Sequence, residues 1–304
     1  PFKAEYGKFA RENRSPAITR SGTLYYPLWL IYAAAVCEKD GFSVEFLDAP
    51  AIPLNFHQAM EDIDKRGSGT RLFVVDTSTP SIYSDIHFAD ELKRKYSDAF
   101  VMLVGTHPSA QPEETLTIAE KVDAVAMREY DFIVRDVARA LRDNDIPVLV
   151  PGLAWCDERR KVTKNELYPY ITELDSIPFA SEFIKKHLDE YNYFFAASAY
   201  PEIQIFTGRG CPAHCSFCVY PQTMHGHKYR LRSAQNVADE FQYIADHFPK
   251  VKEVVIEDDT FTINKKRVVE ICNLLIERGL NKRLRWLCNA RVNLDYETKT
   301  KMRK

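Results

Sequence analysis

Gly208-Arg209-Gly210-Cys211-Pro212-Ala213-His214-Cys215-Ser216-Phe217-Cys218 is the stretch from which the rest of this chain can be read. Three cysteines fall within eight residues as C-x3-C-x2-C, in a loop shaped by two glycines and a proline. Thiolates this close can wrap one face of a cubane cluster, and thiolate ligation is the usual way to hold iron–sulfur centres. Three ligands for four irons leave one iron open, and an open position is what lets a second molecule reach a metal. The alternative is zinc, with His214, His225 or His227 as a fourth ligand. It is less favoured, because structural zinc sites normally pair cysteines in two separated halves and no second half is present.

Around this loop the second half of the chain reads as β-α-β-α-β. A strand is expected at 203–206, just ahead of the cysteines. A helix follows at 233–247 with Ser233 as N-cap, then a strand at 253–256 ending in Glu257-Asp258-Asp259. A helix at 265–277, a C-cap at Gly279 and a strand at 285–288 complete the pattern. Three strands cannot close a barrel, so a truncated β/α barrel is expected over 201–304.

The first half alternates strands at 42–47, 71–75, 100–104 and 124–126 with helices at 57–65, 86–96, 112–119 and 131–141. Apolar strands alternating with helices predict a parallel sheet covered on both faces. Residues 147–200 break the rhythm. A charged turn at 157–161 suggests a hairpin, and the region reads as a connector. The expected organisation is an α/β unit over 1–146, a connector over 147–200 and the partial barrel over 201–304.

At ~150 residues per domain, 304 residues suit two domains. A chain that is 45% hydrophobic and 28% charged is not extensively disordered. Forty-one basic against 43 acidic residues leave a net charge of -2, which gives no electrostatic case for nucleic acid. The apolar run 25–37 contains Pro27 and is shorter than the ~20 residues a membrane span needs. It lies behind Arg11, Arg14 and Arg20, unlike an ordinary signal peptide. Seven cysteines, three of them clustered, read as a reduced compartment with one metal site rather than a disulfide framework. A cytoplasmic protein without a membrane span is expected. Pro1 in place of Met, and the basic helix-like end at 296–304, suggest a segment of a longer protein.

The cysteine loop, with an aromatic residue before its last cysteine, resembles the radical S-adenosylmethionine (SAM) superfamily. The resemblance implies that Cys211, Cys215 and Cys218 bind a [4Fe-4S] cluster whose fourth iron is chelated by SAM. Reductive cleavage then gives a 5'-deoxyadenosyl radical. It further implies an adenine contact at Phe217 and at the backbone of Cys218 and Val219. The family often has Gly-Gly-Glu after the second strand, contacting the SAM amino group. Here Glu257-Asp258-Asp259 stands in its place, and carboxylates at a strand end can hold an ammonium. Arg291, beyond the third strand, could pair with the SAM carboxylate. Arg209, Arg230 and Arg232 could meet anions, although solvated positions are the expectation.

The first half resembles the cobalamin-binding domain of one radical SAM subclass. The matching segments are Pro27-Leu28, Gly41 before Val44-Glu45-Phe46-Leu47-Asp48, Gly105-Thr106-His107-Pro108, Arg128-Glu129-Tyr130-Asp131 and Leu174-Asp175-Ser176-Ile177-Pro178-Phe179. The implied fold is flavodoxin-like (Rossmann-type), which places a cofactor at the C-terminal edge of the sheet. Ser78, Thr79, Ser81, Gly105, Thr106 and His107 then become candidate cobalamin contacts. Thr106 and Arg128 stand where the family often has glycine. No Asp-x-His-x-x-Gly loop is present: Asp85-Ile86-His87 lacks the glycine and falls on a helix, so no histidine is expected below cobalt. Tyr25, Tyr26 and Leu28 are candidates for the lower face or for the core.

The resemblance implies a cobalamin-dependent radical SAM enzyme, most often a methyltransferase acting on an unactivated position of a small molecule. Oxidative cyclisation, a vestigial cobalamin domain, and a zinc-stabilised binding module are the alternatives. Flavodoxin or ferredoxin is the implied electron donor.

Overall fold

The computed structural model describes residues 8–9, 18–19, 23–67 and 69–303. Arg11, Arg14 and Arg20 lie outside them. Two-residue strands β1 (Lys8–Phe9) and β2 (Ile18–Thr19) pair antiparallel. The first unit then runs α1 (Leu28–Lys39), α2 (Phe56–Arg66), β3 (Leu72–Thr77), α3 (Ile82–Lys95), β4 (Phe100–Gly105), α4 (Thr106–Ala110), α5 (Pro112–Ile118), β5 (Ala124–Ala126) and α6 (Asp131–Asp143). Strands β6 (Leu153–Cys156) and β7 (Val162–Lys164) follow, forming the expected hairpin. The sheet order is β3-β4-β5-β6-β7, with β3, β4 and β5 parallel and the hairpin added antiparallel. The segment expected to be a pure connector therefore begins by extending the first sheet.

The sheet is covered on both faces, as its apolar strands require. Val101, Leu103 and Val125 pack towards α3 and α5, and Met102, Val104 and Ala124 towards α1 and α6. The strand expected at 42–47 is a correction. Residues 42–48 are not in any ladder among the described residues. Val44 and Phe46 still pack against the core, but an apolar alternation becomes a strand only where a neighbouring backbone supplies hydrogen bonds. Directly after β4, Thr106 opens the short helix α4.

After α7 (Ala180–His187), the second unit contains β8 (Glu202–Ile205), β9 (Gly208–Arg209), β10 (Arg230–Leu231), α8 (Ala234–His247), β11 (Glu253–Ile256), α9 (Lys265–Glu277), β12 (Arg285–Cys288) and α10 (Tyr296–Met302). Three parallel strands run in the order β12-β11-β8, and β9 pairs with β10 across the cysteine loop. Ser233 caps α8 as expected, accepting from the Asn236 backbone N–H at 3.1 Å.

Helix α1 accounts for the apolar run. It is buried nearly all round. Trp29, Ala33 and Cys37 face the first sheet, while Leu28, Ile31, Tyr32, Ala35 and Val36 belong to the core of the second unit. A helix apolar on all sides needs apolar surroundings on all sides, and a wedge between two units provides them. Each fully buried Leu or Ile there is worth about 1.5–3 kcal/mol. The wedge is stitched to β8. Tyr26 hydroxyl donates to the Glu202 carbonyl at 3.1 Å, and the Phe206 backbone N–H donates to the Tyr32 hydroxyl at 3.0 Å. Among the described residues no helix is long and apolar enough to cross a membrane.

Candidate active site at the end of the second sheet

A cavity of about 230 Å³ lies at the C-terminal end of the second sheet, against the start of α1. Tyr25 and Trp29 come from the first unit, and Phe195 and Ala197 from the segment before β8. Gln204, Phe206, Gly208 and Arg209 line it from β8 and β9, with Tyr220 and His225 from beyond the cysteines. Glu257 and Asp259 after β11, and Leu287 and Asn289 at β12, complete the wall. One side is aromatic and the other carries carboxylates and amides.

The cysteine loop lies between lining residues, with Gly208 and Arg209 before it and Tyr220 after it. Cys211 is buried, Cys218 half-buried and Cys215 exposed. Its entry depends on Gly210 (φ +91°), where a Cβ would lie 2.2 Å from the Lys228 carbonyl oxygen. That contact leaves room only for hydrogen. Cys211 N–H then donates to the Gly226 carbonyl at 3.1 Å. His227 Nδ1 lies 3.1 Å from the Cys211 carbonyl, which can only accept, so Nδ1 carries the proton. His214 stacks on His227 at 4.2 Å between centroids. Phe217 is 89% exposed and Val219 44% exposed.

Among the described residues no three His, Cys, Asp or Glu side chains converge on one ion position. A zinc ion needs its ligands around one point, whereas a cubane takes each thiolate on a different iron. The donor set, three thiols on one shaped loop, fits the cluster. The histidines weighed as a fourth zinc ligand are engaged otherwise: His214 and His227 with each other, and His225 with Asp259.

The three carboxylates after β11 separate. Asp258 is fully buried and points away from the cavity. It accepts from Thr207 N–H (2.6 Å), Thr207 hydroxyl (2.6 Å), Gly208 N–H (3.0 Å) and Tyr229 hydroxyl (3.0 Å). Burial pushes its pKa up despite the nearby Arg267 and these donors. Asp258 therefore ties β11 to the β8–β9 turn. Glu257 and Asp259 line the cavity. Arg291 is exposed and is not among the lining residues.

The solvated positions expected for three arginines are corrected. Arg209 holds Asp131 with two bonds of 2.8 and 2.9 Å, and its guanidinium lies over Trp29 at 4.4 Å. Arg230 donates to Glu129 at 2.9 Å and also to the carbonyls of Ile171 and His225. Arg232 pairs with Glu240 inside the second unit. All three are buried. The first two join the Arg128–Asp131 segment of the first unit to the β9–β10 pair that flanks the cysteines. A fixed planar fork suits such desolvated carboxylate pairs.

On the first sheet's edge, Ser78 and Ser81 lie 3.2 Å apart hydroxyl to hydroxyl, closing the turn after β3. Thr79 is exposed, and its hydroxyl is 3.1 Å from His107 Nδ1. His107 is buried, its Nε2 has no hydrogen-bond partner among the described residues, and burial lowers its pKa. A buried orphan of this kind calls for a bound group, so this edge fits a ligand with hydrogen-bonding side groups. Gly105 (φ +112°) could not carry a Cβ, which would fall 2.3 Å from the Thr77 carbonyl oxygen. Thr106 needs no positive φ, whereas Arg128 takes one (φ 70°) and lies 5.1 Å over the Tyr170 ring. Tyr26 and Leu28 belong to the core, and Tyr25 to the cavity.

Sequence reasoning missed Trp29, Phe195, Gln204, Tyr220 and Asn289 as cavity residues, and weighed His225 only for zinc. Trp29 was hidden in an apolar run, where an aromatic residue reads as core. The π-turn at Pro221–His225 that delivers His225 has no spacing signal of its own.

Two family models match the chain. The B12 binding domain covers residues 14–150 and the Radical SAM superfamily residues 205–298. The uncharacterized methyltransferase PH0819 of Pyrococcus horikoshii is 28% identical over 272 residues, 90% of this chain and 56% of that protein. The anaerobic magnesium-protoporphyrin IX monomethyl ester cyclase of Cereibacter sphaeroides is 26% identical over 88% of this chain and 42% of its own length. The chain thus spans about half the length of the curated relatives it matches. Among solved structures, the cobalamin-dependent radical enzyme OxsB superposes with a TM-score of 0.69 at 16% identity, covering 90% of this chain and 38% of that one. TsrM from Kitasatospora setae, solved with cobalamin and a [4Fe-4S] cluster, gives 0.65 at 18% identity, covering 91% and 53%. With a B12-binding domain on the first sheet and a radical SAM domain on the cysteine loop and second sheet, the chain belongs to the radical SAM proteins that carry a cobalamin-binding domain.

Proposed function

We propose that this chain is the cofactor-binding part of a cobalamin-dependent radical SAM methyltransferase acting on a small molecule. One observation carries the reading: the cavity at the C-terminal end of the second sheet is walled by Trp29 of α1, by Gly208 and Arg209 just ahead of the cysteines, by Tyr220 just after them, and by Glu257 and Asp259. When bound, the cluster and SAM supply radical generation, and cobalamin supplies methyl transfer.

Cys211, Cys215 and Cys218 hold the cluster. Glu257 and Asp259 offer anionic oxygen to the SAM ammonium, while Asp258 holds the loop that carries them. Phe217 and Val219 flank the adenine, and their exposure leaves them free to close on it. Arg291 is the more remote candidate for the SAM carboxylate. Gly105, Thr106 and His107, with Ser78, Thr79 and Ser81, form the corrinoid edge, where His107 Nε2 takes up a cofactor group. The aromatic wall of Tyr25, Trp29, Phe206 and Tyr220 keeps water from the space between the two cofactors.

We divide the chain into a B12-binding unit through Lys164, because β6 and β7 belong to its sheet, a linking segment over 165–200, and the radical SAM unit over 201–304. A flavodoxin or ferredoxin donor and a cytoplasmic setting go with this chemistry. Oxidative cyclisation is the second reading, favoured by the similarity to the Cereibacter sphaeroides cyclase.

Anaerobic reconstitution with iron, sulfide and hydroxocobalamin, then desalting, tests the reading. Bound iron and sulfide with retained corrinoid absorption are expected. Cys215→Ala is expected to lose the cluster. Full iron and sulfide retention in that variant would sink the ligand assignment, and zinc without sulfide in the parent protein would sink the reading as a whole.

A further inference from the structure

We infer that Asp131 of the B12-binding unit is a positioning residue for the cluster, one that holds its reduction potential low by neutralising Arg209. The inference rests on the cluster reading above and adds a residue from the other unit to it. Arg209 stands two residues ahead of Cys211, and the two are 4% and 8% exposed. Its guanidinium donates to both oxygens of Asp131, at 2.8 and 2.9 Å, and Asp131 is fully buried. The ring centroids of Trp29 and Tyr32 lie 4.4 and 5.3 Å from the guanidinium carbon, so aromatic faces take the place of water there. Asp131 is the first residue of α6, and a helix N-terminus favours an ionised carboxylate.

The cysteine loop leaves β9 and returns through β10, and at this neck Arg209 and Arg230 are direct partners in the antiparallel register. Like charges directly opposite are unfavourable. Each is matched by a buried carboxylate of the B12-binding unit, Arg209 by Asp131 and Arg230 by Glu129. The charge at the neck is therefore balanced by the other unit. Arginine does not lose its proton in a protein, so without Asp131 the neck carries a permanent positive charge. In a buried setting such a charge is weakly screened. Reduction adds one electron to a cluster, a nearby cation favours it, and net charge is among the factors that set a cluster's potential. A cluster that passes its electron on to a sulfonium needs a low potential, which a neutral Arg209–Asp131 pair permits.

The test is a redox titration of the reconstituted chain with dithionite, without SAM or corrinoid, followed by the electron paramagnetic resonance signal of the reduced cluster. Asp131→Asn is expected to shift the midpoint potential upward. Arg209→Met/Asp131→Asn is expected to return it to the parent value, because both charges are gone. Arg209→Lys keeps a cation opposite Asp131 and loses the planar fork. It should unfold at lower urea concentration with its potential unchanged, a split that a merely structural role would not show. An unshifted potential in Asp131→Asn, no return in the double variant, or an equally large shift in Arg209→Lys overturns the inference. Should Asp131→Asn not load the cluster, Arg209→Met takes its place. It keeps the anion without the cation, so a lower potential than the parent's is expected, and an equal or higher one overturns the inference. Absence of iron and sulfide from the reconstituted parent chain would remove the cluster reading itself and the inference with it, a result distinct from the others.

Discussion

At the scale of single residues, the second sheet has a buried acid at its base. Glu202 opens β8 with no solvent exposure, and burial pushes its pKa to about 7 against the help of Gln204 and Ser198. The folded chain therefore keeps a proton that an unfolded one releases near the ordinary 4.5. Between these values the native state binds more protons, so stability falls as pH rises through the window, and the contribution is lost above about 7. The slope is about 1.4 kcal/mol per pH unit at most. Glu202→Gln keeps the amide-like shape without the titration. Thermal melts at pH 5 and pH 8 should show the variant gaining on the parent as pH rises, and equal shifts at both values would refute the assignment. Arg128 presents a different residue-scale case. It holds a positive φ where a glycine is expected, a cost on the order of 1 kcal/mol, and its guanidinium lies over Tyr170.

At the scale of elements, the start of α6 with the residues just before it and the β9–β10 pair flanking the cysteines are joined by buried ion pairs, Arg209 with Asp131 and Arg230 with Glu129. Such a pair is weak evidence for net stability, yet removing one partner strands a charge in the interior at a cost of about 3–5 kcal/mol. Asp131→Asn should lower the midpoint of urea unfolding markedly. Asp131→Asn combined with Arg209→Met should recover part of the loss, because the stranded charge is gone. A double variant as unstable as the sum of both singles would show that the pair is not a coupled unit. The segment at 42–47 illustrates the complementary lesson. Its alternation is strand-like, but it joins no ladder among the described residues.

At the scale of the whole molecule, α1 belongs to two cores at once, and its Trp29 also lines the cavity at the end of the second sheet. Domains so joined should unfold together. Trp155 reports on the first sheet and Trp286 on the second. Single-tryptophan variants retaining one or the other should give superimposable urea transitions, which is the test for one cooperative unit. Two separated transitions would mean that the wedge does not couple the units.

The cysteine spacing, the strand–helix alternation and the caps are local properties, and the sequence alone determined them. The strands at 253–256 and 285–288 and the helix at 265–277 match the structure residue for residue because short-range periodicity carries that information. The C-x3-C-x2-C loop needed no partner to be recognised. Only the tertiary structure decided which two of three adjacent carboxylates line the cavity, that Arg209 and Arg230 are buried, and that Trp29 and His225 meet. Those outcomes depend on contacts between residues such as Arg209 and Asp131 or Trp29 and His225, far apart in the chain. A side chain's burial and its partner are set by where two units dock, and no periodicity along the chain encodes that docking.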